Sequence, residues 1–107
     1  MGFMYMILSK RRMRFKLKEP IAMLLSQKKV ATIRPYYLKP MTVVKIIPIN
    51  KYGVVEKCLL YSDYTAAILI KYSGFPSLRH WKEAYAKVKG RPPDTSKDYI
   101  IVLRLLE

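Results

Sequence analysis

A strict alternation of apolar and basic residues near the start of the chain constrains the fold most. The alternating residues from Arg11 to Lys18 are Met13, Phe15 and Leu17 on one side and Arg12, Arg14, Lys16 and Lys18 on the other. A repeat of two residues is that of a β-strand with one face toward a core. We therefore expect a strand over 11–18 that carries a row of positive charge on its outer face.

The balance of charge favours a polyanionic partner. The 107 residues include 21 Lys or Arg and 7 Asp or Glu, which leaves a formal net charge of +14. Such an excess attracts nucleic acid and, as a second choice, an anionic membrane surface. We expect RNA as the partner, with DNA as the alternative, and neither a membrane partner nor a cofactor. The predicted phosphate contacts are Arg11, Arg12, Arg14, Lys16, Lys28, Lys29, Arg34 and Lys39.

The scarcity of cysteine and histidine excludes several kinds of site. Cys58 is the only cysteine and His80 the only histidine, so the sequence predicts no internal disulfide and no metal site built on these residues. We expect Cys58 to be a buried, inert thiol and His80 to be exposed. Residues 1–8 are apolar but precede the basic residues, and they fall short of the roughly 20 apolar residues that span a bilayer. The expected location is a reducing cytoplasm.

The segment QKKVATIR, residues 27–34, is the candidate site. It places Lys28, Lys29, Thr32 and Arg34 within seven positions, where a short helix is expected to pass into a strand. These groups could hold a phosphate, a base edge or a small polar substrate. In the alternative interpretation the two lysines only neutralise the negative end of the helix, and Arg34 is a solvated strand residue.

The tyrosines that follow this segment also allow two interpretations. Tyr36 and Tyr37 lie in a predicted loop with Lys39. Their rings could stack on nucleic-acid bases, which contributes roughly 1–3 kcal/mol per base, or they could cap the core. We include Tyr36 and Thr32 among the candidate nucleic-acid contacts.

The remaining pattern predicts an α+β domain over 11–107, preceded by an N-terminal apolar extension over 1–10. A helix is expected from Glu19-Pro20, with Ile21, Leu24 and Leu25 facing the core. Further strands are expected at 30–34, 42–49, 54–61, 66–72 and 99–106, with a turn at 51–53. A second helix, capped by Ser77 and ended by Gly90, should face the core with Leu78, Trp81, Tyr85 and Val88. We predict a small, mostly antiparallel β-barrel with two short helices.

Three short motifs follow one another after about Arg11, namely KKVATIR, SGFPSLRHW and DYIIVLRL. The residues that carry them are Lys29, Thr32, Ile33 and Arg34, followed by Gly74, Phe75 and Ser77. Their order resembles that of the ASCH domain, a compact relative of the PUA-like β-barrels. The resemblance implies an RNA-binding module whose cleft is lined by Lys29, Thr32 and Arg34 and closed by residues 73–77.

One branch of that family hydrolyses N4-acylated cytidine with a lysine, a threonine and a glutamate, and the resemblance assigns the first two roles to Lys29 and Thr32. The glutamate position is Ser73 here, and a hydroxyl without an adjacent base is a poor proton shuttle. Without a carboxylate near Lys29 and Arg34, we expect a positive cleft that binds anions. The enzymatic alternative is an acylcytidine hydrolase with a displaced acid, or a ribonuclease, and a structural accessory with a vestigial cleft is the third hypothesis.

Overall fold

The computed structural model describes residues 11–106, so the predicted N-terminal extension over 1–10 lies outside the described part of the chain. The strands are β1 (Arg12–Arg14), β2 (Lys29–Arg34), β3 (Val43–Ile47), β4 (Lys51–Leu60) and β5 (Tyr99–Leu105). The helices are α1 (Lys18–Gln27), α2 (Asp63–Leu69) and α3 (Leu78–Lys89), and a 3-10 turn (Ile70–Tyr72) follows α2. This arrangement confirms the α+β class.

The five strands form one curled, mixed sheet in the order β1-β3-β4-β5-β2. The β3–β4, β4–β5 and β5–β2 pairs are antiparallel, as expected, whereas β1 pairs with β3 in parallel. In the described chain, β1 and β2 are the two edges of this half-barrel. The predicted barrel is therefore not closed by a backbone ladder, because its first strand joins β3 rather than β2.

Each face of the sheet has its own apolar core. The inner core includes Met13, Val30, Val44, Val55 and Leu103, and α1 covers it with Leu24. The outer core includes Ala31, Ile33, Ile100 and Val102, and it receives Ala66 of α2 and Trp81 and Tyr85 of α3. Because side chains alternate along a strand, β2 contributes Val30 to the inner core and Ala31 to the outer one. The side chains of β2 therefore alternate between the inner and the outer face of the sheet.

The predicted alternation in the first strand is confirmed. Met13 and Phe15 are buried, and Arg12, Arg14 and Lys16 are exposed. The strand itself is shorter than predicted, because the backbone turns into α1 at Lys18. The cationic row therefore continues beyond β1 into the link to α1.

The predicted strand over 66–72 is wrong, since these residues belong to α2 and the 3-10 turn. Ser62 caps α2, because its Oγ accepts a hydrogen bond from the Thr65 backbone N–H at 3.0 Å. Ala66 is buried in the outer core, with Leu69 and Ile70 packed beside it at helical spacing. Residues 11–106 consequently hold three α-helices rather than two.

Smaller corrections concern one turn and two side chains. Residues 51–53 lie inside β4, and the turn before them is 48–50, where Asn50 has a φ of 56°. Gly53 pairs with Leu105 in the sheet, and a Cβ there would lie 2.9 Å from Leu103 Cγ. Leu25 and Val88, expected to face the core, are 40% and 39% exposed.

No helix within residues 11–106 has the length and apolar character needed to cross a membrane.

Candidate functional site

Arg34 connects the two edge strands of the curled sheet. Its Nη1 donates a hydrogen bond to the Arg14 carbonyl oxygen at 2.7 Å, and its Nε donates to Thr32 Oγ1 at 3.1 Å. The guanidinium carbon lies 4.6 Å from the centroid of the Phe15 ring. Burial lowers the pKa of Arg34, but an arginine keeps its charge at neutral pH. We call this junction between the ends of β1 and β2 the seam.

A cavity of about 240 Å³ lies beside the seam. The charged residues that line it are all cations, and they are Arg14, Lys16, Arg34 and Lys89. The aromatic residues that line it are Phe15, Tyr36, Phe75, Trp81 and Tyr85. Within the described chain, no Asp or Glu is among the lining residues. The combination of rings and uncompensated cations suits an anion that carries a planar group.

The wall that carries Phe75 is held by a glycine turn. Gly74 has a φ of 89°, and a Cβ there would lie 2.5 Å from the Glu19 carbonyl oxygen. The turn can therefore pack against the start of α1 only with glycine at this position. The packing brings Phe75 and α1 to the same cavity.

Ser73, the candidate for the catalytic acid position, acts as a turn residue. Its side chain is fully buried, and its Oγ donates to the Ile70 carbonyl oxygen at 2.8 Å. Ser73 Oγ also accepts a hydrogen bond from the Phe75 backbone N–H at 3.0 Å. Ser73 is not among the cavity-lining residues, so it stabilises the turn rather than facing a ligand.

The wall formed by α3 is anchored by a buried carboxylate. Tyr85 Oη donates to Asp98 Oδ1 at 2.7 Å, and both oxygens of Asp98 accept from the Arg91 guanidinium at 2.7 and 3.0 Å. The Asp94 backbone N–H adds a fourth hydrogen bond at 2.6 Å. Burial alone would raise the pKa of Asp98, but these hydrogen bonds outweigh it and hold the pKa below its ordinary value. The network fixes the Tyr85 ring that lines the cavity.

Lys29 lies outside the cavity beside the seam, so its predicted role in a ligand-binding cleft stays a prediction. Its Nζ lies 3.1 Å from Glu56 Oε1 and 5.1 Å from the centroid of the Tyr72 ring. The second oxygen, Glu56 Oε2, accepts from Arg104 Nε at 3.0 Å. Lys29 and Thr32 project from opposite faces of β2 because they are an odd number of positions apart. Thr32 lines the cavity.

The expectation of a lysine without a neighbouring carboxylate is wrong, because Glu56 lies beside Lys29. Glu56 occupies the irregularity in β4 between Val55 and Lys57, opposite β5. Lys29 starts β2 and Arg34 ends it, which separates their backbones by roughly 16 Å. Only Arg34, of these two cations, reaches the cavity.

The other predicted contacts are divided between the cavity and the surrounding surface. Those that line the cavity are Arg14, Lys16, Thr32, Arg34 and Tyr36. Lys28 is the C-cap of α1, with a φ of 63°, which suits the interpretation that it belongs to the helix end. Those that are exposed elsewhere are Arg11, Arg12 and Lys39, and Arg11 lies over the Tyr36 ring at 5.6 Å. Their nucleic-acid contacts stay predictions.

Sequence reasoning missed the contribution of α3 to this cavity. Trp81 and Tyr85 are buried, as predicted, but they also line the cavity together with Val88 and Lys89. Lys89 lies four positions after Tyr85 and eight after Trp81, so the three share one helix face. That spacing was the available signal. Residues 11–106 contain no cluster of three His, Cys, Asp or Glu side chains that could hold a metal ion.

Neither a protein-family model, nor a curated protein, nor a solved structure matches this chain. The resemblance to the ASCH domain therefore stays a prediction that depends on its short motifs.

Proposed function

We propose that this protein binds nucleic acid, RNA in preference to DNA, at the cavity beside the seam. The observation that carries the proposal is the lining of that cavity, which combines four cations with five aromatic side chains and no carboxylate in the described chain. Cations neutralise phosphates, and aromatic rings stack on bases. Few other common biological ligands offer both groups in one repeating unit.

The charge of the rest of the chain supports the same partner. The net charge is +14, whereas several carboxylates already have cationic partners away from the cavity: Glu56, Asp63, Glu83 and Asp98. Among the described residues, Arg14, Lys16 and Lys89 have no carboxylate partner, so these three cavity cations can contact a ligand. Long-range attraction of a polyanion toward them accelerates association and weakens with salt.

We further propose that the domain is an ASCH domain of the PUA-like type. Thr32 and Arg34 of the first motif and Phe75 of the second line one cavity, which is the relation that the resemblance implies. Lys29 departs from it, because it is paired with Glu56 outside the cavity, and Ser73 is hydrogen-bonded inside a turn, so the cavity contains neither the lysine nor the acid of the hydrolase. Binding is therefore the function that we propose.

The test is a fluorescence-anisotropy titration of a labelled single-stranded RNA at three salt concentrations. The test variant is Lys16→Ala/Lys89→Ala, and the matched control is Lys51→Ala/Lys97→Ala, which removes two exposed lysines that do not line the cavity. Each phosphate contact on a single strand contributes about −0.7 to the log–log salt slope, so the test variant should lose about 1.4 from the slope. The control should retain the wild-type slope.

Two results would overturn the proposal. One is a wild-type affinity that does not depend on salt. The other is an equal loss in the test and control variants, which would indicate a diffuse attraction to the whole basic surface. A DNA strand of the same sequence, measured in parallel, tests the preference for RNA.

A further inference from the structure

We propose that the cavity takes the base of one unpaired nucleotide and leaves its phosphate at the mouth, so that the protein selects single-stranded over double-stranded RNA. This inference rests on the proposed function and specifies the ligand of the same site.

The size of the cavity favours a single base. Its volume of about 240 Å³ is below the roughly 300–1,000 Å³ of sites that enclose drug-sized ligands. A planar ring system fits such a space, whereas a run of stacked nucleotides does not. The bases of a duplex are paired and stacked, so only an unpaired or extruded base can enter.

The distribution of polarity orients the nucleotide. Trp81 and Tyr85, which belong to the apolar part of the wall, are only 3% and 8% exposed. Arg14, Lys16 and Lys89 also line the cavity, but these side chains are exposed. A base directed inward would contact rings, and its phosphate would meet the exposed cations. The reverse orientation would bury a charged phosphate against aromatic carbon.

Arg34 contributes a flat surface rather than a phosphate ligand. Its Nη1 and Nε are already hydrogen-bonded to the Arg14 carbonyl and to Thr32, and its guanidinium carbon lies 4.6 Å from the centroid of the Phe15 ring. Bases stack on arginine planes as well as on aromatic rings. Arg34 therefore adds a charged, planar wall to the base pocket.

The experiment uses the full chain and a short RNA that contains one 2-aminopurine, whose emission changes when the base leaves its stacked neighbours and contacts protein rings. Acrylamide quenching of the bound RNA shows whether this base is enclosed. We expect a change of emission and protection from acrylamide on binding to the wild type. A duplex of the same sequence should bind at least about tenfold more weakly, as expected for the loss of one base stack.

A matched pair of variants tests whether filling the cavity with a larger side chain blocks the base. Ala84→Leu enlarges a side chain that lines the cavity, and Ala86→Leu makes the same change on the same helix at a residue that does not line it. We expect Ala84→Leu to abolish the emission change and to lower the affinity for single strands about tenfold, with the salt slope retained. Ala86→Leu should behave as the wild type.

The outcomes separate this inference from the proposed function. Salt-dependent binding of the wild type with no protection of the 2-aminopurine would overturn base insertion while nucleic-acid binding stands. Equal affinity for duplex and single strand would do the same. A wild type that does not bind RNA at any salt concentration would overturn both. The acrylamide measurement needs only the wild type, so it decides the question even if Ala84→Leu does not fold.

Discussion

Arg34 Nη1 lies 2.7 Å from the carbonyl oxygen of Arg14, and this one hydrogen bond joins the two edge strands of the half-barrel. The two residues also line the cavity. The group that holds β1 next to β2 is thus part of the candidate binding surface. Changes at Arg34 should affect both stability and RNA binding.

Arg34→Ala should lower the free energy of unfolding by about 1.5–3 kcal/mol, the range for a hydrogen bond from a charged group. The loss arises because the Arg14 carbonyl and Thr32 Oγ1 lose their donor and Phe15 loses the guanidinium that covers it. Urea unfolding followed by circular dichroism measures the change.

Arg79→Ala is the control for that experiment. Arg79 is 81% exposed and lies 3.6 Å from Glu83 one helical turn away, a kind of pair that contributes about 0.3–0.5 kcal/mol. A cost for Arg34→Ala no larger than the cost for Arg79→Ala would show that the seam does not depend on Arg34.

Lys16→Ala should reduce the salt dependence of RNA binding more than Lys29→Ala does. Lys16 is an exposed cation at the cavity, whereas Lys29 is paired with Glu56 outside it. We expect Lys16→Ala to lower the slope by about 0.7 and Lys29→Ala to leave it nearly unchanged. The measurement is the anisotropy titration at three salt concentrations. An equal effect of the two variants would place the RNA along the whole of β2 and would support the sequence-based prediction for Lys29.

The Asp98→Asn variant should lose less stability in acid than the wild type loses. The folded state holds the pKa of Asp98 below its ordinary value of 3.8. The carboxylate therefore stabilises the fold above the pKa of the unfolded chain, and this contribution disappears as the pH falls through the lower, folded pKa.

At neutral pH we expect Asp98→Asn to cost about 3 kcal/mol, the lower end for breaking a buried ion pair, since Arg91 is partly exposed. The difference between the unfolding free energies of the wild type and the variant should shrink below about pH 4. Urea titrations from pH 2 to about pH 7 test this, and a constant difference would contradict it.

Gly74→Ala should destabilise the protein more than Gly90→Ala. Both glycines have positive φ, of 89° and 80°, so both substitutions strain the backbone by about 1 kcal/mol. Only at Gly74 would the new Cβ meet a backbone atom, the Glu19 oxygen at 2.5 Å, whereas nothing lies within 4 Å at Gly90. We expect an additional cost of about 1–3 kcal/mol at Gly74. Equal shifts in the urea midpoint would show that the turn can move away from α1.

Elements with a strong local signal could be predicted from the sequence. The alternation around Met13 placed the first strand, and Ser77 and Gly90 marked the two ends of α3, where the Ser77 side chain accepts the His80 backbone N–H at 3.2 Å. In each case the signal lies within a few residues. Signals within a few residues were therefore sufficient to predict these parts of the fold.

The helix α2 was mistaken for a strand because its apolar run, 66–70, is compatible with both structures. Ser62 as a helix cap and the spacing of Ala66, Leu69 and Ile70 were the discriminating signals. A short apolar run fits both the strand repeat and the helix repeat, so a helix-capping residue before it is needed to distinguish them.

The composition of the candidate site depended on contacts between distant residues. Glu56 lies beside Lys29 because β5 pairs with both β2 and β4, and the pairing register is not visible in any single segment. The contact of Arg34 with Arg14 spans 20 positions and depends on the parallel pairing of β1 with β3. Sequence patterns could identify the candidate cations, but the curl of the sheet determines which of them line the same cavity.

The parallel pairing of β1 with β3 has a consequence for motion. Because the seam is held by a side chain and not by a ladder, none of the four strand pairings of the described chain joins β1 to β2. Parting the two strands would break the Arg34–Arg14 hydrogen bond and the Arg34–Phe15 contact, and it would expose Phe15, which is buried in the inner core. Any widening of the cavity entrance at the seam is therefore opposed both by a hydrogen bond and by the burial of apolar surface.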